Sequence, residues 1–171
     1  MRYAMSSKWW PERFTISDDV GRARFEVRNS PGFATQLSLS VTGGEEIATI
    51  RRRRGGRFQV IVRGQEAGLV RQRAADRYDI QSAPRPLAAV GDVADGRYEI
   101  TGEGLMTAKV SRQFTDHVRL ARRISVDISD GDDTAVLLAT MLAIEAVQYE
   151  RAEAHFNPRA LLDLLNPFNW L

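Results

Sequence analysis

Eight arginines fall between Arg51 and Ala75 (51, 52, 53, 54, 57, 63, 71 and 73) against a single acid, Glu66. Four run consecutively into a glycine pair in RRRRGGR, which sets guanidinium groups on a turn. A guanidinium is planar, permanently charged and carries paired donors, so several on one turn can clamp a phosphate bidentately. Arg51, Arg52, Arg53, Arg54 and Arg57 are therefore the candidate ligand- or phosphate-binding residues. The plainer alternative is a solvated hairpin end whose charges keep a sheet edge soluble. Nucleic acid would use the same arginines with Phe58 for stacking. Single-strand binders, however, interleave rings and cations on one surface, and strand alternation here sends the ring to the opposite face.

Other chemistry is sparse. The acidic turn DISDGDD supplies Asp127, Asp130, Asp132 and Asp133, and clustered carboxylates suit a hard cation such as calcium. Their spacing is not that of an EF-hand loop, and turn formation with helix capping accounts for them. His117 and His155 are the only histidines, and no nucleophile elbow or H-E-x-x-H accompanies them. TGEGLMT at 101–107 has G-x-G but lacks the third glycine and the following helix of a dinucleotide site. With no cysteine there is no thiolate ligand, no cysteine nucleophile and no disulfide framework. The expectation is a non-enzymatic protein with no catalytic residues, no metal site and no cofactor.

The elements that would position the arginines are strands. A four-residue phrase recurs as RFTI at 13–16, RFEV at 24–27, RFQV at 57–60, RYDI at 77–80 and RYEI at 97–100. In an extended chain its ring and aliphatic residue share one side, and its arginine and third residue share the other. Each copy therefore predicts a half-buried strand. The irregular spacing of the copies argues against a solenoid or propeller, which needs a fixed period. Further alternating runs, QLSLSV and RRISVDIS, lie between turn signals such as SDDVG, TGG, RGG and ADG. Together they predict eleven or twelve short strands before residue 129, with turns at the spacing of an antiparallel barrel or sandwich. RFTISDDVGRARFEV is the clearest hairpin among them.

Residues 133–150 change period. Asp132 or Asp133 can cap the first turn, and alanine, leucine and methionine then dominate. The uncharged run from Thr134 to Ile144 would span only about 16 Å as a helix, roughly half a bilayer's hydrocarbon core. Glu145 then interrupts it, followed by Gln148, Glu150 and Arg151, so no transmembrane segment is expected. The run has no polar stripe, and a helix that is apolar all round is buried all round. Ala135, Ala139 and Ala143 recur every four positions, which would let a sheet approach one side closely. In a chain of strands this predicts a closed antiparallel barrel of about twelve strands surrounding the helix.

The order of these features resembles the LURP-one-related family, within the Tubby C-terminal-like and phospholipid-scramblase-like superfamily. The opening YAMSSKWWPERFTISDDVGRARFEV is similar to that family's start, and ISVDISDGDDTAVLLATMLAIEAV to its last strand, acidic turn and buried helix. The resemblance covers about residues 3 to 149 and implies a twelve-stranded barrel around a C-terminal helix. It also implies kinship with phosphoinositide-binding Tubby domains, although no spacing of basic residues here matches their lipid site.

The chain of 171 residues is thus read as one barrel domain, 1–151, with its central helix at 133–150, followed by a tail, 152–171. In the tail Asn157 can cap and Pro158 start a short helix, with Leu161, Leu165, Phe168 and Trp170 as candidate partner-binding residues. The alternative is that these side chains, with Trp9 and Trp10, pack on the barrel. The N-terminus lacks a continuous apolar stretch, which predicts no secretory signal. The expected protein is cytoplasmic and peripherally membrane-associated. Its expected partners are an anionic phospholipid or membrane surface at the arginines and a protein at the tail, with nucleic acid disfavoured.

Overall fold

A computed structural model gives the architecture and describes residues 1–8, 13–30, 36–81, 86–116 and 121–156. The strands are β1 (Arg2–Lys8), β2 (Arg13–Asp18), β3 (Ala23–Ser30), β4 (Gln36–Val41), β5 (Glu46–Arg53) and β6 (Arg57–Val62). They continue as β7 (Gln65–Ala74), β8 (Arg77–Gln81), β9 (Leu87–Asp92), β10 (Arg97–Gly102), β11 (Leu105–Asp116) and β12 (Ala121–Ile128), before helix α1 (Thr134–Phe156). Each strand pairs antiparallel with its sequence neighbour, and β1 pairs with β12 to close the barrel. The closing register runs from Arg2↔Asp127 to Lys8↔Ala121, so no open edge remains at the seam.

The repeated phrase produces the wall. Phe14, Phe58, Tyr78 and Tyr98, with Ile16, Val27, Val60, Ile80 and Ile100, are buried inside. Their arginines, Arg13, Arg24, Arg57, Arg77 and Arg97, are exposed outside. The third residue of the phrase becomes a partner for cations: Glu26 receives Arg13 and Arg28, Asp79 receives Arg73 and Arg77, and Glu99 faces Lys109. One sequence pattern thus makes both the core and the charged exterior.

Helix α1 fills the interior. Leu138, Ala139, Leu142, Ala143 and Ile144 are fully buried, and Met141 nearly so. The helix lies against β5, β6 and β7. Asp133 caps its start, its Oδ1 accepting from Ala135 N at 2.9 Å and Val136 N at 3.3 Å. The same carboxylate accepts from Arg63 in the β6–β7 turn at 2.9 Å, which ties the helix entry to the wall. The helix continues beyond Glu150 to Phe156 because RAEAHF carries no breaker before Asn157 and Pro158. No helix among the described residues is long and apolar enough to cross a membrane.

Glu145, which reads in the sequence as the point where the helix turns polar, is fully buried. Arg112 on β11 donates to both of its carboxylate oxygens, at 2.9 and 2.7 Å. Tyr98 makes a longer bond to the same group at 3.4 Å. One turn on, Gln148 donates to the Tyr78 hydroxyl at 2.5 Å. Burial and the adjacent Glu145 charge push the Tyr98 hydroxyl well above its ordinary value, so it stays protonated and able to donate.

Candidate functional site

Barrel connectivity sorts the turns into two ends. The β2–β3, β4–β5, β6–β7 and β10–β11 turns stand at the end where α1 enters, as the Arg63–Asp133 contact shows. The β5–β6, β7–β8 and β9–β10 turns stand at the other end. Glu145 and Gln148 bond there, so α1 leaves the barrel at that end.

The arginine-rich segment divides between these ends. Arg63 belongs to the helix-entry end and is bound to Asp133. Arg73 is held by Asp79. Arg51, Arg52, Arg53, Arg54 and Arg57 gather at the end of the β5–β6 hairpin, where Arg53 pairs in register with Arg57. The turn between them places Gly55 and Gly56 at φ 76° and 66°, a left-handed pair that side chains with a Cβ resist. Arg52, Arg53, Arg54 and Arg57 line an open cleft of about 520 Å³ with Gln59 and Leu69, while Arg51 stands beside it on β5.

These arginines are not equivalent. Arg53 donates from Nε to the Gln59 side-chain oxygen Oε1 at 2.9 Å, and the Gln59 amide in turn donates from Nε2 to Glu66, so Arg53 is partly held. Arg57 Nε donates to the Arg54 backbone oxygen at 3.1 Å, which braces the turn. Arg51, Arg54 and Arg71 are exposed and make no ion pair among the described residues. Asp79, the residue opposite Arg71, is taken by Arg73 and Arg77, whose hydrogen bonds hold its carboxyl below the usual range. The cleft therefore has cationic donors that the fold itself does not consume. Phe58 is fully buried on the inner face and offers no stacking surface beside them.

The acidic turn is occupied by structural contacts. Asp127 pairs with Arg2 at 2.6 Å, Asp130 lies 3.7 Å from the terminal amine, and Asp133 caps the helix. Among the described residues no group of three or more histidines and carboxylates converges as a metal would require. His117, Trp9, Trp10 and the tail residues Leu161, Leu165, Phe168 and Trp170 lie outside the described residues.

Sequence reasoning missed Arg112 and Tyr98 as partners of Glu145. A signal for Arg112 exists: in KVSRQF it shares strand parity with the buried Val110, which aims it inward. A cation on an inward position and an acid inside an apolar helix must meet, since neither charge is tolerable alone in the core.

The sequence model of a family described as LURP-one-related matches residues 1–145. The chain belongs to the LURP-one-related family. An X-ray structure of an Arabidopsis thaliana protein has the same fold, with a TM-score of 0.63 and 18% identity over 85% of this chain and 91% of that one. Among curated proteins there is no match. Membership accounts for the barrel and its buried helix, and it leaves the ligand of this LURP-one-related barrel to be argued from its own surface.

Proposed function

We propose that this LURP-one-related barrel is a non-catalytic, cytoplasmic binding or scaffold protein. Its β5–β6 cleft takes an anionic group of the kind carried by a phospholipid head or a phosphorylated ligand. The observation that carries the reading is the cleft itself: Arg52, Arg53, Arg54 and Arg57 line it, and Arg51, Arg54 and Arg71 have no acid to neutralise them among the described residues. Arginine suits this use because its fork of donors matches phosphate oxygens. The test is liposome flotation across rising anionic lipid content. Binding should rise with anionic lipid, fall with salt and weaken when Arg51, Arg52, Arg53 and Arg54 are all replaced by alanine. Binding unchanged by those substitutions would sink the arginine assignment.

A second reading assigns partner binding to the tail, through Leu161, Leu165, Phe168 and Trp170. What supports it is that α1 leaves the barrel at the same end as the β5–β6 turn, with Gln148 bonded to Tyr78 there. Comparing the full chain with one truncated after Phe156 in pulldowns separates this reading from the first. Loss of a protein partner with lipid binding intact would assign the tail a role of its own.

A further inference from the structure

The helix-entry end carries a surface of a different kind. Six large apolar side chains are exposed among the described residues, and five of them stand here: Met1, Val20, Val41, Leu105 and Met106. Val20, Leu105 and Met106, on the tips of the β2–β3 and β10–β11 hairpins, are 67%, 69% and 49% exposed. Val41 closes the β4 side and is 42% exposed. It forms, with Ala23, Arg24, Phe25 and Thr42, a depression of about 350 Å³ between the ends of β3 and β4. Ala23, Phe25 and Val41 give this depression apolar walls, with room for an anchoring side chain.

Each of the three turns also presents a carboxylate. Asp19 precedes Val20, Glu45 closes the turn after Val41 through its backbone, and Glu103 precedes Leu105 and Met106. All three are exposed, and none has a side-chain hydrogen bond or ion pair among the described residues. Arg2 reaches Asp19 only at long range while bonding Asp127. Among the described residues, Arg22 is bonded to Asp18, Arg63 to Asp133 and Lys109 to Glu99 at this end, while Arg24 lies exposed at the depression. The rim therefore alternates apolar tips with unsatisfied negative charge.

We infer that this rim is a docking surface for a basic, apolar-anchored segment of a protein partner. One apolar side chain would enter the Ala23–Phe25–Val41 depression. Flanking lysines or arginines would meet Asp19, Glu45 and Glu103. Charge complementarity selects this occupant over an anionic membrane, which free carboxylates on the tips would repel. The surface lies at the opposite end of the barrel from the arginine cleft and works independently of it.

The test uses the full isotope-labelled chain and two synthetic amphipathic peptides, one of alternating leucine and lysine clusters and one with glutamate in place of each lysine. Titrating the lysine peptide should shift the amide signals of residues 19–20, 41–45 and 103–106 and leave those of 51–57 in place. The glutamate peptide should leave the rim unmoved. Glu45→Lys with Glu103→Lys should weaken the lysine peptide about tenfold, since each lost attraction becomes a repulsion. Val41→Asn should weaken it without changing its salt dependence. Absence of binding, equal binding of both peptides, or shifts confined to other surfaces would overturn the proposal. Rim shifts that appear with protein concentration alone, accompanied by shifts at 51–57, would overturn it in favour of a second copy as the occupant. Rim shifts produced by anionic vesicles would overturn it in favour of a membrane.

Discussion

Arg112 and Glu145 form an ion pair inside the barrel, with one guanidinium nitrogen 2.9 and 2.7 Å from the two carboxylate oxygens and both side chains almost wholly shielded from water. Arg112 also donates from its other terminal nitrogen to the Ala94 oxygen at 3.0 Å, while its Nε is buried with no partner among the described residues. The pair fixes the helix at one height in the barrel, because sliding α1 by a residue would strand both charges.

Removing one partner is therefore costly and removing both is not. Glu145→Leu should lower stability by about 3–5 kcal/mol, since Arg112 is left charged in the core. Arg112→Met combined with Glu145→Leu should recover most of that loss. Denaturant unfolding of the two single variants and the double variant, read as a cycle, measures the coupling.

Gly96 is packed against the same arginine. A Cβ there would lie 2.4 Å from Arg112 Cβ, on a residue at φ +74°. Gly96→Ala should cost about 2 kcal/mol or more through strain and steric overlap. Gly104, at φ +79° with nothing within 4 Å of the added carbon, is the control. Gly104→Ala should cost about 1 kcal/mol, the backbone component alone.

Acid should destabilise the fold in a defined window. Burial pushes the Asp133 carboxyl up, but the Arg63 hydrogen bond and the helix-cap donors outweigh it, and the group lies below its ordinary value. Asp79 and Asp127 are also held down, chiefly by hydrogen bonds from Arg73 and Arg2. A lowered folded value means that the contribution is complete above the unfolded value, about 4 for aspartate, and is lost as pH falls through the folded one. Melting temperature should be flat from neutrality to about pH 5 and drop below about pH 4. Asp133→Asn should flatten part of that drop.

The helix core should tolerate no charge. Leu138 and Met141 are 0% and 1% exposed, so Leu138→Asp or Met141→Lys should abolish folding, visible as loss of cooperative melting. Leu138→Ala should instead remain folded and lose about 2–5 kcal/mol.

Replacing Arg51 and Arg54 with alanine should leave melting within experimental scatter, because exposed side chains with no partner among the described residues contribute little to folding. Replacing Arg53 should cost slightly more, through its bonds to Gln59. A large loss from Arg51→Ala and Arg54→Ala would make these residues part of the fold rather than a site.

The period-2 phrase, the turn residues and the stripe-free helix are local patterns, and each dictates which face of an element seeks the core. They determined a barrel of eleven or twelve strands wrapped on a helix, and the closed sheet has twelve. Local pattern also read RRRRGGR as a turn, where the structure leaves Arg51–Arg53 on β5 and Arg57 on β6 with Arg54 between them. What it could not decide is which charges meet across the closed sheet. Arg63 and Arg73 belong to the same basic run as Arg54, yet register commits the first two to Asp133 and Asp79 and leaves the third open. Glu145 marked the end of an apolar run in sequence, and only the depth of α1 in the barrel made it the buried partner of Arg112. Val20, Val41 and Leu105 are ordinary turn neighbours in the chain, brought to one rim by the up-and-down order of the strands. Side-chain orientation repeats within an element and is legible there, whereas pairing between elements far apart in the chain exists only once the sheet has closed.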